Sequence, residues 1–173
     1  MTNNILSTIQ EICVGTTAFC AIGNIDRMDD GAGMRLGSML KQAGVGNVFF
    51  GGMTPEKVLP IVRDKGFDTV VFLDAAEIGE EPGAVAFLDA SQIVSLFPQV
   101  STHKMSLATL AAIVSDTTKS NVWLIGIQPK SIEMSRLSGI SAEVFNTIEM
   151  LSLCIADTLA AMSFATNKDH VCT

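Results

Sequence analysis

Residues 67 to 79, FDTVVFLDAAEIG, decide the fold that the sequence predicts. Val70 to Leu73 are four consecutive apolar residues, which is typical of a strand whose two faces are both covered. The apolar run ends on Asp74, so a carboxylate is expected at the carboxyl end of this strand. A strand of this kind needs helices on both faces of a mostly parallel sheet, and the rest of the chain must supply them.

Helical and strand-like patterns alternate on both sides of this strand. Before it, the apolar spacing and turn residues predict a helix over 4–14, a strand over 16–22, a helix over 33–43, a strand within 45–52 and a helix capped by Thr54. After it, they predict a strand over 83–89, a helix over 107–114, a strand over 121–127 and a long helix from residue 141 onward. This alternation predicts an α/β protein, a three-layer αβα domain with a twisted, mostly parallel central sheet.

Length and composition set the limits of this interpretation. The 173 residues suit one domain over 1–173, with 1–15 as an extra N-terminal helix and 166–173 as a flexible tail. The formal net charge of −7 argues against a nucleic-acid partner. We expect no membrane insertion, because charged and polar residues interrupt the apolar stretches, and we expect a cytoplasmic location, because no basic leader is visible. The four cysteines show no C-x-x-C spacing and are expected to be buried free thiols.

A second feature, AIGNIDRMDDGAG at 21–33, carries Asp29 and Asp30 just beyond the first predicted strand. In such sheets, ligands bind at the carboxyl ends of the strands, where Asp74 also lies. Two carboxylates at the start of a helix would repel the pyrophosphate of a nucleotide, and the glycine motifs of nucleotide-binding sites are absent. Both observations argue against a nucleotide site. The acidic spacing of an EF-hand calcium loop is absent as well. A charged first helical turn, with a carboxylate as cap, is the structural alternative.

His103, in STHKMSL at 101–107, is one of two histidines and the one expected in the folded body. One imidazole with carboxylates from two strand ends would suit a first-row divalent metal, with nickel and zinc both possible. A nucleophilic hydrolase, with Ser101, Ser106 or Cys20 activated by His103, is the competing chemistry. It ranks lower because no G-x-S-x-G motif is present and Cys20 lies in an apolar strand.

Four motifs occurring in order resemble the [NiFe] hydrogenase maturation endopeptidases. They are IGN with DDGAG, VVFLDAAEIGEEPGAV, STHKMSL and LIGIQPKSIE, and the resemblance runs from about Phe19 to about Glu149. Members of this family remove the C-terminal peptide from the nickel-loaded precursor of the hydrogenase large subunit. The resemblance therefore implies an αβα peptidase whose partner is that precursor.

The resemblance also implies site residues. Asp30, Asp74 and His103 match the nickel-contacting and catalytic set, and Asp29 is then the adjacent acidic residue with a capping role. The residues expected to line the substrate cleft are Asn24, Asp29, Gly51 and Gly52. Nickel is expected to come with the precursor, so the isolated protein should hold none tightly. A non-catalytic nickel-binding chaperone or scaffold using the same cleft is the alternative.

The chain also departs from the family pattern. Ala21 stands where the family usually has Gly, Asp26 and Arg27 stand where apolar residues are usual, and Phe50 stands where an Asp commonly precedes the paired glycines. The predicted N-terminal helix is an addition to the usual start. These changes predict that the surface around the acidic loop meets a different precursor.

Overall fold

The computed structural model describes residues 5–96, 106–134 and 139–168. The strands of its sheet are β1 (Thr17–Ile22), β2 (Val48–Gly52), β3 (Thr69–Ala75), β4 (Val85–Asp89) and β5 (Asn121–Ile127). The α-helices are α1 (Ile5–Ile12), α2 (Ala32–Gln42), α3 (Leu59–Lys65), α4 (Ala90–Leu96), α5 (Leu107–Thr118) and α6 (Ala142–Lys168). Short 3-10 turns at Met28–Gly31 and Pro55–Val58 lead into α2 and α3.

The sheet has the strand order β2-β1-β3-β5-β4, which puts β3 in the middle. β3 pairs in parallel with β1 on one side and with β5 on the other, and β4 joins the far edge antiparallel to β5. β1 also pairs in parallel with β2. The predicted class, an α/β domain with a mostly parallel sheet between helical layers, is confirmed.

The central strand divides its side chains between two cores. Val71 and Leu73 belong to the cluster on the side of α1, α2 and α6, whereas Val70 and Phe72 belong to the cluster on the side of α3, α4 and α5. All four side chains are fully buried. Burial of each contributes roughly 1.5–3 kcal/mol, so the apolar run at 70–73 holds both helical layers to the sheet.

Helix α6 corrects one expectation. Over Ala142–Phe164 it is long and apolar enough, by length and composition, to cross a membrane, whereas the sequence analysis expected no such segment. One face of α6 is buried in the core through Val144, Ile148, Leu151 and Ile155. A core helix meets the same criteria as a membrane span, so this helix is weak evidence for membrane insertion.

Helix α4 was not predicted. It begins directly after β4, and a reciprocal pair of hydrogen bonds marks the change of structure. The Gln92 backbone N–H donates to Asp89 Oδ1, and the Asp89 backbone N–H donates to Gln92 Oε1, both at 2.9 Å. This is a capping box, and its signal, an acidic residue followed three positions later by Gln, was present in the sequence.

Thr54 occupies the predicted N-cap position, but the helix that begins there is the Pro55–Val58 3-10 turn. The Thr54 side chain accepts no capping hydrogen bond, and the Pro55–Val58 3-10 turn separates it from α3. Helix α3 instead begins at Leu59, which places Pro60 in its first turn. Proline is tolerated there because the N–H groups of a first turn have no partner within the helix.

Gly33 lets α2 begin directly against the sheet. A Cβ atom at this position would lie 2.0 Å from the Leu73 carbonyl oxygen and 2.5 Å from the Ile22 carbonyl oxygen. Both oxygens belong to the carboxyl ends of central strands, β3 and β1. The start of α2, and the acidic loop before it, are therefore fixed at this edge of the sheet.

Gly33→Ala should lower the free energy of unfolding by about 3 kcal/mol, because the backbone oxygens facing the new methyl group cannot retreat without moving α2. Gly46→Ala is the matched control, since a Cβ atom there meets nothing within 4 Å. Urea unfolding followed by circular dichroism measures both variants. Equal stability of the two variants would contradict the close approach.

Candidate functional site

A cleft opens at the carboxyl ends of β1 and β3. The loop after β1, residues 23–31, forms one wall and is called the site loop below. The lining residues are Ile22, Gly23, Asn24, Arg27, Asp30, Gly52, Met53, Pro55, Asp74 and Leu107. Carboxylates from two different strand ends thus meet in one cleft, at the edge where the sequence predicted a ligand site.

Asp30 and Asp74 approach each other across Gly23. The Asp30 carboxylate accepts a hydrogen bond from the Asn24 backbone N–H at 3.2 Å, and the Asp74 carboxylate accepts one from the Ala75 backbone N–H at 2.9 Å. A Cβ atom on Gly23 would lie 2.0 Å from the Asp30 carbonyl oxygen and 3.6 Å from Asp74 Oδ1. Gly23 also has a φ of +121°, so only glycine suits this position.

The two carboxylates do not ionise independently. Burial, and secondarily the negative charge of Asp30, raise the pKa of Asp74 to about 8, against the opposing hydrogen bond from Ala75. Asp74 therefore carries a proton at neutral pH when no cation is near. Because the folded-state pKa lies above the unfolded one, the stability that this proton contributes is present at acidic pH and is lost as the pH rises through about 8.

Asp29 does not line the cleft in which the sequence analysis placed it. Its side chain is fully buried and points to the connection between β5 and α6. Asp29 Oδ2 accepts hydrogen bonds from the Lys130 N–H at 2.9 Å, the Ser131 N–H at 3.1 Å and the Ser141 hydroxyl at 2.9 Å, while Oδ1 accepts one from the Ser141 N–H at 2.7 Å. All four of these bonds go to the connection between β5 and α6 and none to its own turn, so they do not give Asp29 the capping role that the sequence predicted.

Two more hydrogen bonds join the site loop to the segment after β5. The Asp29 backbone N–H donates to the Ser131 carbonyl oxygen at 3.1 Å, and Arg27 Nε donates to the Ile132 carbonyl oxygen at 3.0 Å. These bonds link positions about a hundred residues apart in sequence. The site loop is therefore held by the segment after β5 as well as by the hydrogen bonds of its own turn.

Gln128 is a structural residue of the site that sequence reasoning missed. Its buried side chain accepts a hydrogen bond from the Ile78 N–H through Oε1 and donates one to Glu77 Oε1 through Nε2, both at 2.9 Å. It thus fixes the acidic loop that follows Asp74. The signal available in the sequence was a polar residue directly after the apolar run of β5, followed by Pro129.

The other predicted residues have different positions. Asn24 and Gly52 line the cleft, whereas Gly51 is buried beside Pro55. His103 lies outside the described residues, and so does Ser101.

The residues of the competing nucleophilic chemistry are engaged elsewhere. Ser106 caps α5 by accepting a hydrogen bond from the Thr109 N–H. Burial raises the pKa of the Cys20 thiol to about 12 and that of Cys13 to about 11, so neither is a thiolate at neutral pH. Cys154 is a free thiol as well, and Cys172 lies outside the described residues.

The donor set of the cleft suits a cation only in part. Within residues 5–96, 106–134 and 139–168, no cluster of three or more His, Cys, Asp or Glu side chains could hold a metal ion. Asp30 and Asp74 supply oxygen ligands from two sides of the cleft. A cation that sits there needs further ligands from elsewhere, such as a metal-carrying substrate.

Comparison with known proteins gives one consistent result. The family profile described as "Hydrogenase maturation protease" matches residues 34–157. The hydrogenase 3 maturation protease of Escherichia coli K12 is 31% identical over 116 residues, which cover 66% of this chain and 73% of that protein.

Solved structures agree with this match. The [NiFe] hydrogenase maturation protease HycI from Thermococcus kodakarensis KOD1 superposes with a TM-score of 0.77 at 29% identity, covering 88% of this chain and 99% of that one. The solution structure of an endopeptidase HycI from Escherichia coli gives a TM-score of 0.67 at 25% identity, covering 80% and 87%.

Asp29→Asn should lower the free energy of unfolding by about 3 kcal/mol. The asparagine side chain has one acceptor oxygen instead of two, and its NH2 group would face the N–H donors that now bond to the second oxygen of Asp29. The control is Asp26→Asn, the same change on an exposed residue of the site loop. Urea denaturation of both variants measures the difference. A loss no larger than that of the control would mean that the Asp29 bonds contribute little.

Asp30→Asn should lower the pKa of Asp74 from about 8, because it removes the like charge while burial continues to hold the pKa above that of an exposed aspartate. Carbon-13 NMR titration of the aspartate carboxyl groups measures this shift. Asp26→Asn should leave the pKa of Asp74 unchanged. An unchanged value in Asp30→Asn would show that the two carboxylates are not coupled.

Proposed function

This chain belongs to the hydrogenase maturation proteases and is a peptidase, and on that basis we propose that it removes the C-terminal peptide from the nickel-loaded large-subunit precursor of a [NiFe] hydrogenase. The observation that carries the proposal is the meeting of Asp30 and Asp74 in one cleft at the carboxyl edge of the sheet. We place the reaction in the cytoplasm, where the precursor would be assembled and where free thiols such as Cys13 and Cys20 stay reduced.

In this proposal the nickel ion is part of the substrate. Asp30 and Asp74, with His103 as the third predicted residue, would contact the ion while the precursor holds its remaining ligands. A divalent cation between the carboxylates would offset their repulsion and displace the proton of Asp74, whose pKa is raised by burial and by the charge of Asp30. An ion held mainly by the precursor would leave with the mature subunit, so the isolated peptidase would retain none tightly.

The shape of the site supports a polypeptide substrate. Beyond the two carboxylates, the cleft continues as a groove toward α4 and the segment after β5. This extension is lined by Ala75, Ala76, Glu77, Leu96, Ser106, Leu107, Pro129 and Ile132, together with Asp30 and Asp74. The carboxylates thus lie between two parts of an open groove, where a chain could extend on both sides of a scissile bond.

The chemistry expected of such a complex is hydrolysis aided by an electrophile. A nickel ion next to the scissile bond would act as a Lewis acid on the carbonyl group or on a water molecule. Asp30 and Asp74 would place the ion relative to the peptide, and a carboxylate oxygen not bound to the ion would accept the proton of the attacking water. A scaffold that only binds nickel would have no need for a groove that continues past the carboxylates.

Asp30→Asn and Asp74→Asn should each slow cleavage of the nickel-loaded precursor by about 100-fold or more, because each removes a charged contact to the ion. Asp116→Asn, the same change on an exposed residue of α5 away from the cleft, is the control and should cleave like the wild type. Release of the C-terminal peptide, followed by mass spectrometry with nickel-loaded and nickel-free precursor, measures the rates. His103→Ala belongs in the same series, and undiminished cleavage by that variant would remove His103 from the mechanism.

The outcomes separate the possibilities. Binding of the precursor by the wild type with the tail left intact would identify a scaffold and overturn the proposed activity. Equal cleavage of nickel-free and nickel-loaded precursor would retain the peptidase but refute recognition of nickel.

A further inference from the structure

Arg27 brings a positive charge into an otherwise acidic cleft. Among the described residues that line the cleft with Asp30 and Asp74, it is the one cationic side chain. An arginine side chain carries its positive charge on a planar guanidinium group with several N–H donors. The cleft therefore combines two carboxylates with one cationic side chain.

Arg27 is held in place by its surroundings. Arg27 is exposed, and its Nε donates to the Ile132 carbonyl oxygen at 3.0 Å, which restricts the positions open to the guanidinium group. The next residue, Met28, has a φ of +41°, a left-handed conformation that is unfavourable for a side chain of this size. A strained backbone conformation persists only where neighbouring contacts hold it. The buried Asp29, one position after Met28, supplies such contacts.

The remaining donors of Arg27 are available to a ligand. A guanidinium carries five N–H donors, and Nε uses one of them. Within the part of the chain that the structure describes, no carboxylate forms an ion pair with Arg27. Asp30 and Asp74 instead accept hydrogen bonds from the backbone N–H groups of Asn24 and Ala75. The terminal guanidinium nitrogens thus lack a carboxylate partner among the described residues.

Peptide hydrolysis places a transient negative charge on the oxygen of the scissile carbonyl group. A water oxygen adds to the scissile carbonyl carbon, the π electron pair moves to the carbonyl oxygen, and the water proton passes to a cleft carboxylate. Collapse re-forms the carbonyl group, breaks the C–N bond and returns that proton to the leaving nitrogen. The oxyanion would form beside two carboxylates that repel it, so in this chain the charge of Arg27 would add to the stabilisation that the nickel ion supplies.

We propose that Arg27 binds the carbonyl oxygen of the scissile peptide and stabilises the oxyanion that forms on it. The inference rests on the proposed peptidase function and adds to it a residue that touches the reacting atoms. It explains why the site loop fixes an arginine at the cleft through an unfavourable turn. Removing one such donor in other peptidases costs about 100-fold to 1,000-fold in rate, which sets the expected size of the effect.

The test is single-turnover cleavage of nickel-loaded precursor by Arg27→Ala at saturating enzyme. The rate should fall by about 100-fold while the enzyme concentration for half-saturation changes by less than about threefold, because the interaction is made in the transition state. Millimolar guanidinium chloride should restore part of the rate, whereas urea, its neutral isostere, should not. Arg27→Lys should recover part of the loss because it keeps the charge.

Arg35→Ala is the matched control. Arg35 is an exposed residue of α2 that lines a separate groove, so the variant loses the same charge away from the cleft and should cleave at the wild-type rate. Thermal unfolding of all variants detects a merely structural role of the Arg27–Ile132 bond, and guanidinium rescue is a readout that such a role would not produce.

Each other outcome is decisive. A wild-type rate in Arg27→Ala, or a weaker half-saturation with an unchanged maximal rate, would overturn the oxyanion role. Restoration of the Arg27→Ala rate by urea as well as by guanidinium would also overturn it. The same holds if neither additive restores the rate of Arg27→Ala and Arg27→Lys is as slow as Arg27→Ala. Failure of the wild-type protein to cleave would instead refute the proposed function, which keeps the two failures distinct.

Discussion

The buried carboxylate of Asp29 is the constraint on which the site depends. Removing a carboxylate from water costs several kcal/mol unless donors saturate it, and a fully buried Asp29 is tolerable only because four hydrogen bonds converge on it. All four donors belong to the connection between β5 and α6. The site loop cannot shift without leaving this charge unpaired, so the fold fixes the loop that presents Arg27 and Asp30.

Neighbouring aspartates thus have opposite surroundings. Asp29 lies on the inner side of the Met28–Gly31 turn and joins distant segments, whereas Asp30 lies on the outer side and faces Asp74. The interactions that act on the carboxylates also differ. Asp29 is stabilised by direct hydrogen bonds, whereas burial and, secondarily, repulsion by Asp30 raise the pKa of Asp74 to about 8. The hydrogen-bonded Asp29 thus fixes the loop that keeps Asp30 close to Asp74.

Patterns local in sequence predicted most of the fold. The apolar run at 70–73 and the alternation around it were sufficient for the layers and the parallel strands, because periodicity reports which faces are covered. The rule that strand ends meet at one edge also brought Asp30 and Asp74 together. Long-range partners were beyond such reasoning: the donors to Asp29 lie 101 to 112 residues away, and nothing near Asp29 signals them. Thr54 is at the predicted N-cap position, although the turn it begins is a 3-10 helix and its side chain makes no capping bond.

The charges of the cleft form one coupled system. Without a cation, one proton on Asp74 relieves the repulsion at neutral pH, so the pair carries about one negative charge and Arg27 balances it. In the function proposed above, arrival of a divalent ion would displace that proton and add net positive charge to the cleft. Stabilisation of an oxyanion would then be strongest when the ion is present, since both cations face the new charge.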